Sequence, residues 1–232
     1  MSEMELHHSR RSFSLFIILA VAIVMLLFLQ AAGTVFIELG LPTWLALLII
    51  PGSLIGSFVN IPIATVESDK TPCVEQDYLS LWGLSYKVKT PDCPGKLRLS
   101  INLGGAIIPI SVSMYLLLEH LETLVPALLG VVVITVFVHA VARIEPNVGI
   151  VTPALLPPIA AALITLSLIQ FIPTLQDTYV VAYVSGTLGA LLGADILNLG
   201  KITQLRTGSA SIGGAGTWDG VFLTGILAIF FL

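Results

Sequence analysis

Seven long apolar stretches constrain the fold of this chain more than any other feature of its sequence. They lie at Phe13–Leu29, Leu41–Ile63, Ile101–Leu118, Leu124–Ala142, Ile150–Ile172, Tyr179–Leu199 and Gly216–Leu232. A bilayer core needs about 20 mostly apolar residues per helix. Of the 232 residues, 56% are hydrophobic and only 10% are charged, whereas a soluble domain carries about 25% charged residues. The sequence therefore predicts an all-α, polytopic membrane bundle of about seven helices, forming a single membrane domain over residues 1–232.

The charged residues predict the orientation of this bundle. If the N-terminus is inside, every Lys and Arg of the chain falls in an inside segment. These segments are residues 1–12, 64–100, 143–149 and 200–215. The outside loops carry only acidic charge, at Glu38, Glu119, Glu122 and Asp177. The positive-inside rule therefore predicts a multi-pass protein of the cell membrane, with a cytoplasmic N-terminus and an outside C-terminus.

The N-terminus has a competing interpretation. Arg10 and Arg11 precede an apolar run in the manner of a twin-arginine signal, and Gln30–Gly33 resembles a cleavage site. The apolar run exceeds the 7–15 residues or so that are usual for a signal peptide, which favours a retained first helix. Cleavage would leave six helices in the same orientation.

The inside segment 64–100 is predicted to be a cytoplasmic insertion between helices 2 and 3. Residues 78–89 alternate about Gly83, which predicts a small β-hairpin. Cys73 and Cys93 flank the hairpin, either as two ordinary thiols or as a pair that clips its base. Two Cys without a nearby His do not complete a four-ligand zinc site, and no metal site is predicted.

Glycine-rich matches indicate a possible internal repeat. Gly52–Ser57 in helix 2 aligns with Gly189–Ala194 in helix 6, and Gly104–Ala106 with Gly213–Ala215 at the starts of helices 3 and 7. The matches predict two parallel three-helix units joined by helix 4, a 3+1+3 arrangement of a kind common in transporters. Chance matching and simple helix packing are the alternatives.

Two acidic residues within apolar sequence are the main functional candidates. Asp195 lies near the inner end of helix 6, and Asp219 lies about one turn inside the same face on helix 7. An ionisable group at membrane depth is costly and marks a functional site by default. Two close carboxylates share a proton and can activate a water. Alternatively, Asp195 pairs with Arg143 or Lys201, and Asp219 stabilises a helix N-terminus.

Nearby polar residues are weaker candidates. Asn198 follows Asp195 by three residues, as a hydrogen-bond partner or a cap, and Thr217, two residues before Asp219, is a candidate cap of helix 7. Asn60 and Asn102 border the inner face and are candidates to line the same cavity.

The segment Gly214–Asp219 resembles an element of known proteases. Presenilin-type, signal-peptide-peptidase and prepilin-peptidase intramembrane aspartyl proteases carry an Asp after a Gly-x-Gly, and this chain has that element with two extra residues. The helix direction and depth of Asp195 also resemble the first two types. The resemblance implies that Asp195 and Asp219 are catalytic. Gly214, Gly216, Thr217 and Asn198 then become candidates to contact substrate.

A second resemblance covers nearly the whole chain. Ile101–Pro109, Pro146–Pro153, Gly193–Asp195 and Gly213–Gly220 look like an uncharacterised prokaryotic membrane family. This resemblance implies no activity.

Three functional classes follow. The leading hypothesis is an intramembrane aspartyl protease that cleaves a transmembrane peptide. The alternative is an ion- or proton-coupled transporter or channel that uses the same aspartates. A scaffold without chemistry is the third class. The sequence predicts membrane lipid as a partner, no cofactor and no nucleic acid.

Overall fold

The computed structural model describes residues 2–67, 79–81, 84–86, 96–145, 149–172, 177–204, 209–214 and 220–232. This part of the chain is mostly helical. Its α-helices are α1 (Ser2–Glu38), α2 (Thr43–Gly56), α3 (Ile108–Glu119), α4 (Leu124–Val141), α5 (Leu156–Phe171), α6 (Thr178–Ala190) and α7 (Gly220–Phe230). Each of the seven apolar stretches thus contains one helix.

Four shorter helical turns extend these helices. Two are π-helical, at Leu103–Ile107 before α3 and at Leu191–Asp195 after α6. Two have 3-10 geometry, at Leu121–Thr123 before α4 and at Ile196–Gln204 after the second π-turn.

Seven short strands form three small sheets in the described residues. The strands are β1 (Asn60–Glu67), β2 (Leu79–Leu81), β3 (Leu84–Tyr86), β4 (Lys96–Asn102), β5 (Arg143–Glu145), β6 (Gly149–Val151) and β7 (Ser209–Ile212). β2 and β3 pair antiparallel, which confirms the predicted hairpin, and so do β5 and β6. The third sheet has the order β1-β4-β7, with β1 antiparallel and β7 parallel to β4.

The chain divides into two compact units, Met1–Ile50 and Pro51–Leu232. In the first unit, Phe36, Leu39, Leu41 and Ala46 are buried on both sides of the turn between α1 and α2. By contrast, the large apolar side chains that precede this turn are exposed from Phe13 to Leu19. Such a surface suits lipid far better than water.

The second unit is built around α6. Every residue from Val180 to Thr187 is buried, as expected for a helix that is apolar on all sides and lies at the centre of a bundle. Helices α3, α4, α5 and α7 pack against it. The outer face of α4 carries exposed Val132, Val133 and Val136. An apolar interior combined with an apolar exterior fits a membrane protein.

Three helical segments are long and apolar enough to cross a bilayer. They are Phe13–Glu38, Leu121–Val141 and Thr178–Lys201, with 26, 21 and 24 residues. The other four apolar helices have between 10 and 17 residues, so at 1.5 Å per residue they span less than about 26 Å. The length and composition of these three helices support the prediction of a helical membrane protein. Seven full spans stay a prediction.

Strand formation explains the largest boundary differences. Helix 2 was predicted to reach Ile63, but α2 ends at Gly56 and β1 begins at Asn60. The Asn60–Glu67 segment is rich in β-branched residues and pairs with β4, with a register shift after Pro62, which lacks an N–H for the ladder. The predicted insertion 64–100 therefore lies between two paired strands, and these extend beyond its predicted bounds, since β1 begins at Asn60 and β4 ends at Asn102.

Helices 3 and 5 also begin later than predicted. Ile101 lies in β4, and helical structure starts at Leu103. Ile150 lies in β6, and α5 starts at Leu156, because its early prolines suit only the first turn of a helix. The two glycine pairs of the predicted repeat, Gly104–Gly105 and Gly213–Gly214, follow β4 and β7, which are parallel neighbours in one sheet. The predicted helical repeat did not include these strands. The 3+1+3 repeat stays a prediction.

Candidate functional site

Asp195 lies where the central helix loses α-helical geometry. It is the last residue of the π-turn Leu191–Asp195, and the 3-10 turn follows it directly. Between Thr178 and Gly200 it is the one residue with a charged side chain. The π-turn lies against α4: a Cβ on Gly193 would lie 2.5 Å from the carbonyl oxygen of Thr135 and 2.9 Å from the Cβ of Val138. Single-turn π geometry inside a helix is frequent at functional sites.

The carboxylate of Asp195 is held by the backbone that follows β7. The N–H of Gly213 donates to Oδ2 of Asp195 over 2.6 Å. Within the described ranges, this is the one hydrogen bond to that carboxylate. A charge-assisted bond of this length is among the stronger protein hydrogen bonds. It fixes the orientation of one carboxylate oxygen.

Gly213 fits its position because two demands meet there. Its φ is +70°, a left-handed conformation that costs an L-residue free energy. A Cβ at this position would also lie 2.5 Å from the Cβ of Ala106 and 2.8 Å from the carbonyl carbon of Gly105. The backbone after β7 therefore runs directly against the π-turn that opens helix 3. Gly213, the hydrogen-bond partner of Asp195, therefore lies next to the glycine pair Gly104–Gly105.

A buried amide organises the first glycine pair. Oδ1 of Asn102 accepts the N–H of Gly105 over 2.8 Å. Its Nδ2 donates to the Ser57 carbonyl over 2.7 Å and to Oδ1 of Asn60 over 3.0 Å. The hydroxyl of Ser211 on β7 also donates to Oδ1 of Asn60, over 2.5 Å. The sequence indicated the two asparagines as cavity candidates, and the structure joins them in one network with β7.

Gly214 lies directly against this network. A Cβ on Gly214 would meet the Cβ, Cγ and Nδ2 of Asn102 at 2.8–2.9 Å. The sequence suggested Gly214 as a substrate contact, which stays a prediction. Ser57 and Ser211 were missed, because no sequence pattern indicated that β1, β4 and β7 form one sheet beside Asp195.

Asn198, three residues after Asp195, hydrogen-bonds the backbone of the π-turn Leu191–Asp195. It is almost fully buried, and its Nδ2 donates to the carbonyls of Gly193 over 3.1 Å and Ala194 over 2.9 Å. Its Oδ1 accepts from Nζ of Lys201 over 3.0 Å. Carbonyls freed at a break need such donors when water is absent. The predicted substrate contact of Asn198 stays a prediction, although its amide is already engaged here.

The two basic residues suggested as partners of Asp195 do not fill that role in the described part of the chain. Lys201 donates to Asn198, and Arg143 is exposed on β5. The ion pairs found among the described residues involve His120. Within the described residues, neither Lys201 nor Arg143 forms a salt bridge with Asp195.

Three predicted site residues lie outside the described residues: Asp219, Gly216 and Thr217. The same applies to Cys73 and Cys93. The segments on both sides of 215–219 are described. On one side, Gly213 bonds Asp195. On the other, Val221 packs in one buried cluster with Leu191 and Ile212.

The comparison with known families covers this whole centre. The family described as "Protein of unknown function (DUF1614)" matches residues 54–231. The chain belongs to this family. The DUF1614 match contains β1, both π-turns and both predicted aspartates, and it leaves out α1. No curated protein and no solved structure matches the chain.

The DUF1614 assignment confirms the expected membership of an uncharacterised family. The family description carries no activity. The similarity to aspartyl proteases stays a prediction from the residues quoted for it.

Proposed function

We propose that the centre around Asp195 is the active site of an intramembrane aspartyl protease, with Asp219 as the second carboxylate. The substrate class is a transmembrane peptide segment. One observation carries the proposal: the Asp195 carboxylate accepts a hydrogen bond from the N–H of Gly213, and Gly213 lies six residues before Asp219 in the chain. The orientation that accompanies it has the N-terminus cytoplasmic and both aspartates near the inner face.

Anchoring on both sides supports a close approach of the two acids. Gly213 lies six residues before Asp219 and touches Asp195 through its N–H. Val221 lies two residues after Asp219 and shares a buried cluster with Leu191 of the same π-turn. These two described residues, which flank Asp219 along the chain, thus both lie beside the π-turn that carries Asp195.

The chemistry needs two carboxylates that share one proton. The ionised carboxylate takes a proton from a water, whose oxygen attacks the peptide carbonyl carbon. The protonated carboxylic acid gives its proton to the leaving amine, and the C–N bond breaks. The acid and base roles belong to the coupled pair as a unit. The bond from Gly213 orients Asp195, which is a condition for such a proton transfer.

The sheet beside Asp195 supports a peptide substrate. In the described residues, β7 is an edge of the sheet and ends one residue before Gly213. An extended peptide binds such an edge through main-chain hydrogen bonds. An added strand would lead towards the Asp195 carboxylate. Gly214, Gly216 and Thr217 would then border its path, as the sequence suggested.

The test uses the purified full-length protein in liposomes with a panel of single-span peptides. We expect cleavage by the wild type, and a loss of roughly 10²–10⁴-fold in Asp195→Asn and in Asp219→Asn. A photo-cross-linking hydroxyethylene isostere should label the wild type and neither variant. Glu119→Gln, which removes an acid predicted to lie at the other membrane face, is the control and should behave as wild type. Full cleavage by either Asp→Asn variant would refute the protease.

A second candidate is a proton- or cation-coupled transporter. The observation that favours it is the pair of π-turns, Leu103–Ile107 and Leu191–Asp195, beside a polar chain of Asn102, Asn60 and Ser211. Irregular backbone at membrane depth is typical of ion and substrate sites in transporters. In liposomes with an internal pH-sensitive dye, Asp195→Asn would then change proton flux while no peptide is cleaved.

A further inference from the structure

A second cluster of ionisable side chains lies away from Asp195, where two helix connections meet. His120 follows α3, Glu122 lies in the 3-10 turn before α4, and Asp177 directly precedes α6. Nδ1 of His120 is 3.2 Å from Oδ2 of Asp177 and 3.6 Å from Oε1 of Glu122. One ligand atom from each residue lies within 4.8 Å of the other two. The sequence did not indicate this cluster, because Asp177 is remote from the other two along the chain.

Two carboxylate oxygens face one ring nitrogen in this cluster. The Nδ1 atom of an imidazole carries either one hydrogen or one lone pair. It can therefore donate to one carboxylate, yet oxygens of two carboxylates converge on it. A cation that accepts several donors would satisfy all three side chains at once and would also offset two negative charges.

The side chain of Asp177 gives a second, independent observation. Asp177 occupies the N-cap of α6, where an Asp normally accepts an N–H of the first turn. Its side chain makes no such bond. The backbone carbonyl of Asp177 accepts from Val180 over 3.0 Å, while the carboxylate is turned to His120. The capping free energy is thus forgone, and the carboxylate is directed into the cluster.

The turn that carries His120 is held in place by its own bonds. Thr123 is fully buried, and its hydroxyl donates to the His120 carbonyl over 2.7 Å. The His120 N–H donates to Leu116 over 2.9 Å. The imidazole therefore stands on a fixed backbone, whereas the Glu122 side chain is about half exposed and is free to adjust to a ligand.

We propose that His120, Glu122 and Asp177 bind one divalent transition-metal ion, with Zn²⁺ as the representative. One imidazole nitrogen and two carboxylate oxygens form a ligand set that such ions accept. Ligand bonds of about 2.0–2.1 Å in a tetrahedral site separate the donors by about 3.3–3.4 Å, close to the two distances at His120. The exposed side of the cluster leaves a fourth position for water. The ion would tie the α3–α4 turn to the start of α6.

The test is a Zn²⁺ titration of the full-length protein in detergent micelles after removal of metal by a chelator. The chain also has His7, His8, His139, Cys73 and Cys93 as possible zinc ligands, so the titration uses a background in which these five are replaced by Ala or Ser. We expect one Zn²⁺ per chain by calorimetry. X-ray absorption at the zinc edge should show one imidazole among nitrogen and oxygen ligands at about 2.0 Å.

Single variants decide the outcome. His120→Gln and Asp177→Asn should each weaken Zn²⁺ binding on the order of tenfold or more, a change of about 1.4 kcal/mol per decade. Glu119→Gln, at the end of α3 next to the cluster but outside it, should bind as the background does. Circular dichroism with chelator present checks that each variant is folded. Absence of Zn²⁺ binding in the background, or binding unchanged in His120→Gln, would overturn the proposal and leave an ion pair of His120 and Asp177.

Discussion

Replacing Gly213 with Ala tests the contact on which the candidate site depends. Two costs add at this position. A left-handed φ of +70° costs an L-residue about 1–2 kcal/mol. A Cβ placed 2.5 Å from the Cβ of Ala106 and 2.8 Å from the carbonyl carbon of Gly105 forces backbone to move, which costs about 1–3 kcal/mol. We therefore expect Gly213→Ala to lower the free energy of unfolding by about 2–5 kcal/mol.

Two other glycines separate these costs. Gly149 has a φ of +125° and nothing within 4 Å of a Cβ, so Gly149→Ala should show conformational strain alone, about 1–3 kcal/mol. Gly200 has neither a positive φ nor a neighbour within 4 Å, so Gly200→Ala should be neutral or slightly stabilising. Thermal unfolding in one detergent measures all three, at about 2–4 °C per kcal/mol for a chain of this size.

The comparison of the three variants has a clear refuting result. If Gly213→Ala unfolds at the same temperature as Gly200→Ala, the close approach of the β7 end to Ala106 is wrong. Equal losses in Gly213→Ala and Gly149→Ala would mean that strain acts without the steric contact. Labelling by the hydroxyethylene probe should also fall in Gly213→Ala, since the N–H that orients Asp195 moves with the backbone.

Two further predictions concern the side chains around this contact. Asn102→Ala should lower the free energy of unfolding by about 2–4 kcal/mol, because the Gly105 N–H and the Ser57 carbonyl lose buried partners. The same unfolding assay measures this loss. A loss below about 0.5 kcal/mol would contradict the hydrogen-bond network around Asn102. Asp195→Asn should stay within about 1 kcal/mol of wild type in that assay, because the amide oxygen can still accept from Gly213. A large loss of stability in Asp195→Asn would mean that the negative charge itself holds the fold.

The helices were predictable because apolar runs and their separation are local properties of a sequence. All seven stretches contain a helix, and the hairpin β2–β3 was predicted from alternation about Gly83. Strand β1 was not, because Asn60–Glu67 is as apolar as the end of a helix and becomes a strand only by pairing with β4. Such pairing joins segments far apart in the chain, and local pattern carries no information about it.

The candidate site shows the same division. Asp195 was found because a carboxylate in an apolar run is conspicuous. Its partner Gly213 was not recognised as one, since a backbone N–H has no sequence signature and becomes available here only through a left-handed turn after β7. The cluster of His120, Glu122 and Asp177 escaped for a related reason: its members come from two connections that only the packing of α3, α4 and α6 brings together.

The molecule itself supplies a comparison for the charge on Asp195. Asn102 and Asp195 perform a similar structural task, since each side-chain oxygen accepts a backbone N–H from one of the two glycine pairs, Gly105 and Gly213. At position 102 a neutral amide is sufficient, and both its oxygen and its nitrogen are bonded within the protein. At position 195 the chain carries an acid in an apolar span, and within the described residues its carboxylate accepts one hydrogen bond, from Gly213. A structural acceptor does not need that charge, and burial makes the charge costly. The difference between the two positions supports the proposal that Asp195 handles a proton or a cation, which the protease and the transporter would both require.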